Sequence, residues 1–113
     1  LMVKDIVSFF DFQKLDFRVG KVVKAEEAEG SMNLLRLFVD LGKDYGEKKI
    51  FAGIAKWYKP EQLQGKKYIF IANLAPKQMM KEISEGMILC AVINEEAVLI
   101  PVEDSIPEGT ILR

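Results

Sequence analysis

Apolar and polar residues alternate at a period of two over Phe17 to Ala25, with Phe17, Val19 and Val22 apolar. That period places alternate side chains on opposite faces of a strand, so the segment predicts a half-buried β-strand, with Gly20 marking a bulge or bend. Leu34 to Leu41 predicts a second strand ended by Gly42, and Lys48 to Ile54 a third, entered through Asp44-Tyr45-Gly46. Between the first two, Glu26 to Asn33 reads as a polar loop turning on Gly30 and Ser31. Lys67 to Asn73 and Gly86 to Ile93 predict the fourth and fifth strands; Asn94-Glu95-Glu96 turns the chain into a sixth over Ala97 to Val102, and Thr110 to Leu112 suits a short edge. Pro60 to Leu63 predicts one helical turn. Proline fits its first position, where a backbone donor would have no partner, and Gly65 follows its end. Nearer the N-terminus, Asp11 is a candidate cap for a turn over Phe12 to Leu15.

Short strands at this spacing, with one helical turn between the third and fourth, describe an all-β chain closed as a small barrel; a β-sandwich is the structural alternative. The length, 113 residues, fits one domain, because two cores would each be too small to fold unaided. A core over about 11–94 is expected, with an extension over about 95–113. A composition that is 50% hydrophobic argues against disorder. No apolar run approaches the roughly 18 residues of a membrane helix, and Asp5 and Asp11 interrupt any leader-like N-terminus.

Composition then removes whole classes of chemistry. There is no histidine, so Ser-His-Asp and Cys-His devices and histidine-containing zinc sites are excluded. Cys90 is the single cysteine and lies in the apolar run Met87 to Ile93, which fits a small buried residue rather than a reactive thiol. Lack of a disulfide fits a reducing compartment and a cytoplasmic location. An enzyme would need carboxylates, Lys48, Lys49 or Tyr58, none of them set in a recognisable motif; the acids of 95–108 lack calcium-loop spacing, and no cofactor is expected.

The formal net charge of −1 conceals a segregation. Residues 43–81 carry nine lysines against Asp44, Glu47 and Glu61; residues 82–113 carry seven acids and only Arg113. A basic middle third can present a local positive surface on a neutral molecule. It can equally face the acidic tail and be neutralised, or simply be solvated.

Seven collinear pieces now acquire meaning together: Asp16-Phe17-Arg18-Val19-Gly20-Lys21-Val22, Asn33 through Gly42, Gly53-Ile54-Ala55, Tyr58-Lys59-Pro60-Glu61, Gly65-Lys66, Ala72-Asn73-Leu74-Ala75-Pro76 and Ser84-Glu85-Gly86-Met87. Across roughly residues 11–113 the chain resembles the tRNA-binding domain family. That family includes the C-terminal domain of methionyl-tRNA synthetase, stand-alone tRNA-binding proteins and the C-terminal half of the endothelial-monocyte-activating polypeptide. The resemblance implies an OB-fold five-stranded barrel with one short helix and a C-terminal extension, binding tRNA by backbone and shape and assisting aminoacylation. It also implies a homodimer and, as a possible partner, methionyl-tRNA synthetase, with the chain either free-standing or a segment of a full synthetase.

The family's Ser-x-Gly-Met signature falls on Ser84, Gly86 and Met87. There a hydroxyl can meet phosphate or ribose, glycine allows close approach, and Met87 can lie on a base or else fill the core. Asn73 suits a base edge or 2′-hydroxyl, or alternatively its own turn. Lys77 suits phosphate. Lys56 and Tyr58, around Trp57, have the composition of a stacking platform or of a loop anchor. Arg18 suits a salt bridge with Asp16 or Asp40. Asn33 stands where the family usually has lysine and retains only a hydrogen-bonding role. Lys48 replaces an arginine and loses bidentate geometry on phosphate. Ala52 replaces a serine, Gln78 a basic residue and Lys81 a glycine.

A second possibility is a peptide-binding homodimer, similar to the bacterial secretion-associated chaperone on the same domain. Ile6-Val7-Ser8-Phe9-Phe10, Met79 and Met80 would then line an adaptable groove. The same apolar N-terminus suits a dimer interface.

Overall fold

The computed structural model describes residues 2–113. Its elements in chain order are α1 (Phe9–Gln13), β1 (Phe17–Glu27), β2 (Leu35–Asp40), β3 (Glu47–Ala52), α2 (Pro60–Leu63), β4 (Lys67–Ile71), β5 (Lys77–Met79), β6 (Glu82–Ser84), β7 (Met87–Ile88), β8 (Cys90–Ile93), β9 (Glu96–Leu99) and β10 (Ile111–Leu112). The main sheet runs β3-β2-β1-β4-β7, with every neighbouring pair antiparallel. The ends of this five-strand path approach one another. The Glu85 N–H donates to the Lys49 carbonyl at 2.9 Å, and the Ser84 hydroxyl accepts the Phe51 N–H at 3.0 Å. The sheet is thus a nearly closed, all-β, OB-like barrel.

β1 is the longest strand because it serves two halves of that barrel. Phe17 to Lys21 pairs with β4, and Lys21 to Glu27 pairs with β2. Where β2 has not yet arrived, β10 takes the free edge, with Phe17 opposite Leu112. The register slips between Val22 and Lys24, so the bulge lies at exposed Val23 rather than at Gly20. Gly20 answers a different need. A Cβ there would stand 2.6 Å from Val39 Cγ1 and 2.7 Å from Phe70 Cδ1, so glycine lets two core side chains pack over the strand.

The core is built from alternate residues: Leu35, Leu37 and Val39 of β2, Ile50 and Ala52 of β3, Tyr68 and Phe70 of β4, and Leu63 of α2. Each large side chain buried this way contributes about 1.5–3 kcal/mol. A one-residue slip of β2 would turn all three of its apolar residues outward, and that loss fixes the register.

The fifth expected strand divides. Met87 and Ile88 pair with β4, the Leu89 N–H reaches the Ile69 carbonyl at 2.9 Å, and the chain then leaves the barrel as β8 to form a hairpin with β9. Asn94 and Glu95, at φ 50° and 65°, make its two-residue turn. The N-terminal turn is α1, capped not by Asp11 but by Ser8, whose hydroxyl accepts the Asp11 N–H at 3.1 Å. Hairpin β5–β6, within a segment expected to be loop, is an addition. No helix among the described residues is long and apolar enough to cross a membrane.

Residues after β9 wrap back over the barrel. The Lys67 ammonium, 7% exposed, donates to the Asp104 and Ile106 carbonyls at 2.7 and 2.8 Å and pairs with Glu108 at 2.9 Å. Hydrogen bonding to Lys67 holds the Glu108 carboxyl below its ordinary pKa, against the opposing effect of burial. The Gly109 N–H then reaches the Val19 carbonyl at 2.8 Å. Gly42 and Gly109 touch backbone to backbone, and a Cβ on Gly42 would lie 2.6 Å from the Gly109 Cα.

Candidate nucleic-acid interface

One groove, with a volume of about 510 Å³, opens beside the outer face of β3 between hairpin β5–β6 and the loop that precedes it. Phe51 lines it because Ile50 and Ala52 take the core side of β3, leaving the residue between them on the other side. Leu34 and Leu74 add apolar surface, and Lys77, Ser84, Gly86 and Met87 complete the lining.

The three signature residues and Lys77 are held there by different means. Ser84 is buried and faces Lys77 across the hairpin, its hydroxyl oxygen engaged with the Phe51 amide. Gly86 sits at φ +129°, and a Cβ would come within 3.0 Å of both Ile50 Cδ1 and the Ile71 carbonyl oxygen. A side chain at this position would meet both the core and the backbone of β4. Met87 is 50% exposed and does not fill the core. Lys77 is exposed and has no ion-pair partner among the described residues.

An ion network fixes the hairpin. Buried Arg36 meets Glu82 at 3.0 Å through Nε, Glu26 at 2.9 Å and Glu29 at 3.2 Å, and its guanidinium lies 5.5 Å from the centre of the Phe51 ring. Lys49 adds a 2.9 Å contact to Glu82. Hydrogen bonds from Arg36 and then Lys49 draw the Glu82 carboxyl down to about 2. Glu82 pushes the Arg36 guanidinium up from its already high value, against burial. Arg36 and Glu82 are 46 positions apart, and no spacing rule links them.

The other expected contacts are dispersed. Asn33 is exposed in the β1–β2 loop, where its carbonyl accepts the Ala55 N–H at 3.1 Å. Lys56 is exposed in the loop after β3. Lys48 pairs with Glu85 at 3.6 Å and does not line the groove. Tyr58 is no free platform: its ring and that of Trp57 pack against the core, and its hydroxyl accepts the Leu99 N–H at 3.1 Å, tying the β8–β9 hairpin to the barrel. The Asn73 amide is likewise committed. Its oxygen accepts the Asp16 N–H at 2.8 Å and its nitrogen donates to the Lys14 carbonyl at 2.7 Å, so it staples the N-terminal segment.

Arg18 is structural as expected, but its second partner is Asp44, at 2.9 Å, rather than Asp40; Asp16 is the first, at 2.7 Å. Burial pushes the Asp16 carboxyl up, yet hydrogen bonds from Arg18 and Tyr45 leave its pKa lowered. Of the nine lysines in 43–81, only Lys77 lines the groove. Three meet acids of residues 82–113, Lys48 with Glu85, Lys49 with Glu82 and Lys67 with Glu108, while Lys43, Lys56, Lys59, Lys66 and Lys81 stand exposed on loops and turns. Leu34, Phe51 and Leu74 lie in the groove without having been singled out. For Phe51 the signal was present, since an aromatic between two core positions of one strand must face outward.

Comparison with known proteins places these features in context. Residues 17–111 match the family model described as a putative tRNA-binding domain. The chain is 44% identical over 110 residues to a methionine–tRNA ligase of Methanothrix thermoacetophila, an alignment covering 97% of this chain and 16% of that protein. It is also similar to the crystal structure of a MetRS-related protein from Pyrococcus horikoshii, with a TM-score of 0.91, 36% identity, and coverage of 97% of this chain and 100% of the other. The chaperone CsaA of Bacillus anthracis str. Ames superposes with a TM-score of 0.85 at 34% identity, covering 96% of this chain and 100% of that one.

Proposed function

Because the chain belongs to the putative tRNA-binding domain family, we propose that it is a tRNA-binding module that works by backbone and shape, free-standing or joined to methionyl-tRNA synthetase, and assists aminoacylation. The observation that carries this is the groove, where Lys77, Ser84, Gly86 and Met87 meet around Phe51. An exposed lysine supplies phosphate attraction, and a half-exposed thioether beside a ring offers an apolar surface for an unpaired base. Catalysis is assigned to other parts of the synthetases, of which this chain matches 16% of the length. A cytoplasmic location accords with that partner.

Association as a homodimer is part of the proposal. Ile6, Val7, Phe9 and Phe10 are all more than 60% exposed, and α1 buries no residue. An apolar hollow lined by Phe12, Phe17, Ile69, Leu89 and Leu112 lies beside this helix. Surfaces of this kind favour association. A strictly monomeric mass in dilute solution counts against it.

The deciding experiment is a tRNA titration at two ionic strengths. Affinity falls steeply with salt when phosphates are neutralised; absence of binding at the lower strength rejects the assignment. The peptide-binding alternative draws on Met80, Ile83 and Met87, each more than 40% exposed around the hairpin, and on the CsaA likeness. Displacement of bound tRNA by an unfolded peptide would favour it.

A further inference from the structure

A second pocket, of about 280 Å³, adjoins the groove and shares Leu34 with it; Glu27, Ser31, Met32 and Ala55 complete its lining. Its loop is tied in place. The Ala28 N–H reaches the Leu34 carbonyl at 3.2 Å, the Ser31 N–H reaches the Ala28 carbonyl at 3.3 Å, and the Ala55 N–H reaches the Asn33 carbonyl at 3.1 Å. The pocket therefore pays little ordering cost when filled. Met32 is 91% exposed and packs against nothing that would explain it.

Glu27 gives the pocket its chemistry. Glu26 and Glu29 both hold Arg36, but Glu27 has no hydrogen bond or cation partner among the described residues. A free carboxylate beside a nucleic-acid groove repels phosphate, so its favourable contact is with base donors. An ionised carboxylate offers two acceptor oxygens and no donor. Among the four bases, guanine alone presents two adjacent donors, N1–H and N2–H, on its Watson–Crick edge, the edge through which unpaired RNA is read.

We infer that this pocket takes an unpaired guanine next to the nucleotide held in the groove, with Glu27 accepting from N1–H and N2–H and Met32 covering the base. This rests on the tRNA-binding assignment and adds a base preference to it.

The test uses the intact chain, with tRNA as reference and hexauridylate carrying one central guanosine, cytidine, adenosine or uridine as probes, read by fluorescence anisotropy at low salt. A bidentate contact discriminates between bases, so the guanosine probe is expected to bind roughly tenfold tighter than all-uridine. Glu27→Gln should bring that ratio close to one while leaving the circular dichroism unchanged, since the side chain is exposed and unpaired. Met32→Ala should weaken all four probes. A guanosine preference that persists in Glu27→Gln, or its absence in the parent chain while tRNA binds, overturns the inference and leaves the assignment standing. Failure to bind tRNA overturns the assignment and the inference with it.

Discussion

The hydroxyl oxygen of Ser84 accepts the backbone N–H of Phe51 at 3.0 Å, joining hairpin β5–β6 to the outer strand of the barrel inside the groove. Both residues are buried. Ser84→Ala is expected to leave the Phe51 amide unpaired, to cost about 1–3 kcal/mol in urea unfolding, and to weaken tRNA binding. Stability loss with unchanged tRNA affinity would remove Ser84 from the interface.

Two lysines separate binding from stability. Lys77→Ala should leave unfolding unchanged, weaken different tRNAs about equally, and lower the salt slope by about one, because a phosphate contact carries no sequence information. Lys67→Met should do the reverse. It removes two hydrogen bonds to carbonyls and the Glu108 pair, and about 1–3 kcal/mol of stability is expected to go with them. Paired urea and tRNA titrations distinguish the two.

Tyr58→Phe removes only the hydroxyl that accepts from Leu99. A loss of about 0.5–1.5 kcal/mol is expected, with tRNA affinity intact and faster amide exchange in β8–β9. A fall in affinity without that exchange change would return Tyr58 to the interface.

Acid should loosen the fold in a defined window. The folded pKa of Glu82 is about 2, and those of Asp16, Glu29 and Glu108 are also lowered. Groups with depressed folded pKa values stabilise the protein above their unfolded values, about 4, and lose that contribution as pH falls toward the folded ones. Urea midpoints should hold steady from neutral pH to about 5 and then decline toward about 2. Glu82→Gln should flatten the decline.

Much of the barrel was legible because its strands carry their own period: β1 through β4 begin within a residue of where alternation places them, and α2 spans Pro60–Leu63 as its proline predicts. Hairpin β5–β6 was not, since Gln78, Ile83 and their neighbours alternate over only three residues a side. The signature residues Ser84, Gly86 and Met87 meet Lys77 in the groove through the family likeness, not through any local pattern. Asn73 and Tyr58 were ambiguous from sequence because an amide or a phenol serves a loop as readily as a ligand, and only the positions of Lys14, Asp16 and Leu99 decide. In the Arg36 network, Glu26 stands opposite Arg36 in the β1–β2 pair and Glu29 lies in the loop between those strands, but Glu82, 46 positions away, was invisible until the barrel closes.

The pairing of Phe17 with Leu112 closes almost the whole polypeptide into one loop. Contacts of such long range are slow to form, because chain entropy is lost before they return any energy. During synthesis this edge of β1 stays open until Ile111 and Leu112 have left the ribosome. The barrel's first strand is therefore among the last to be completed, and a nascent chain halted short of β10 exposes it to any other strand nearby.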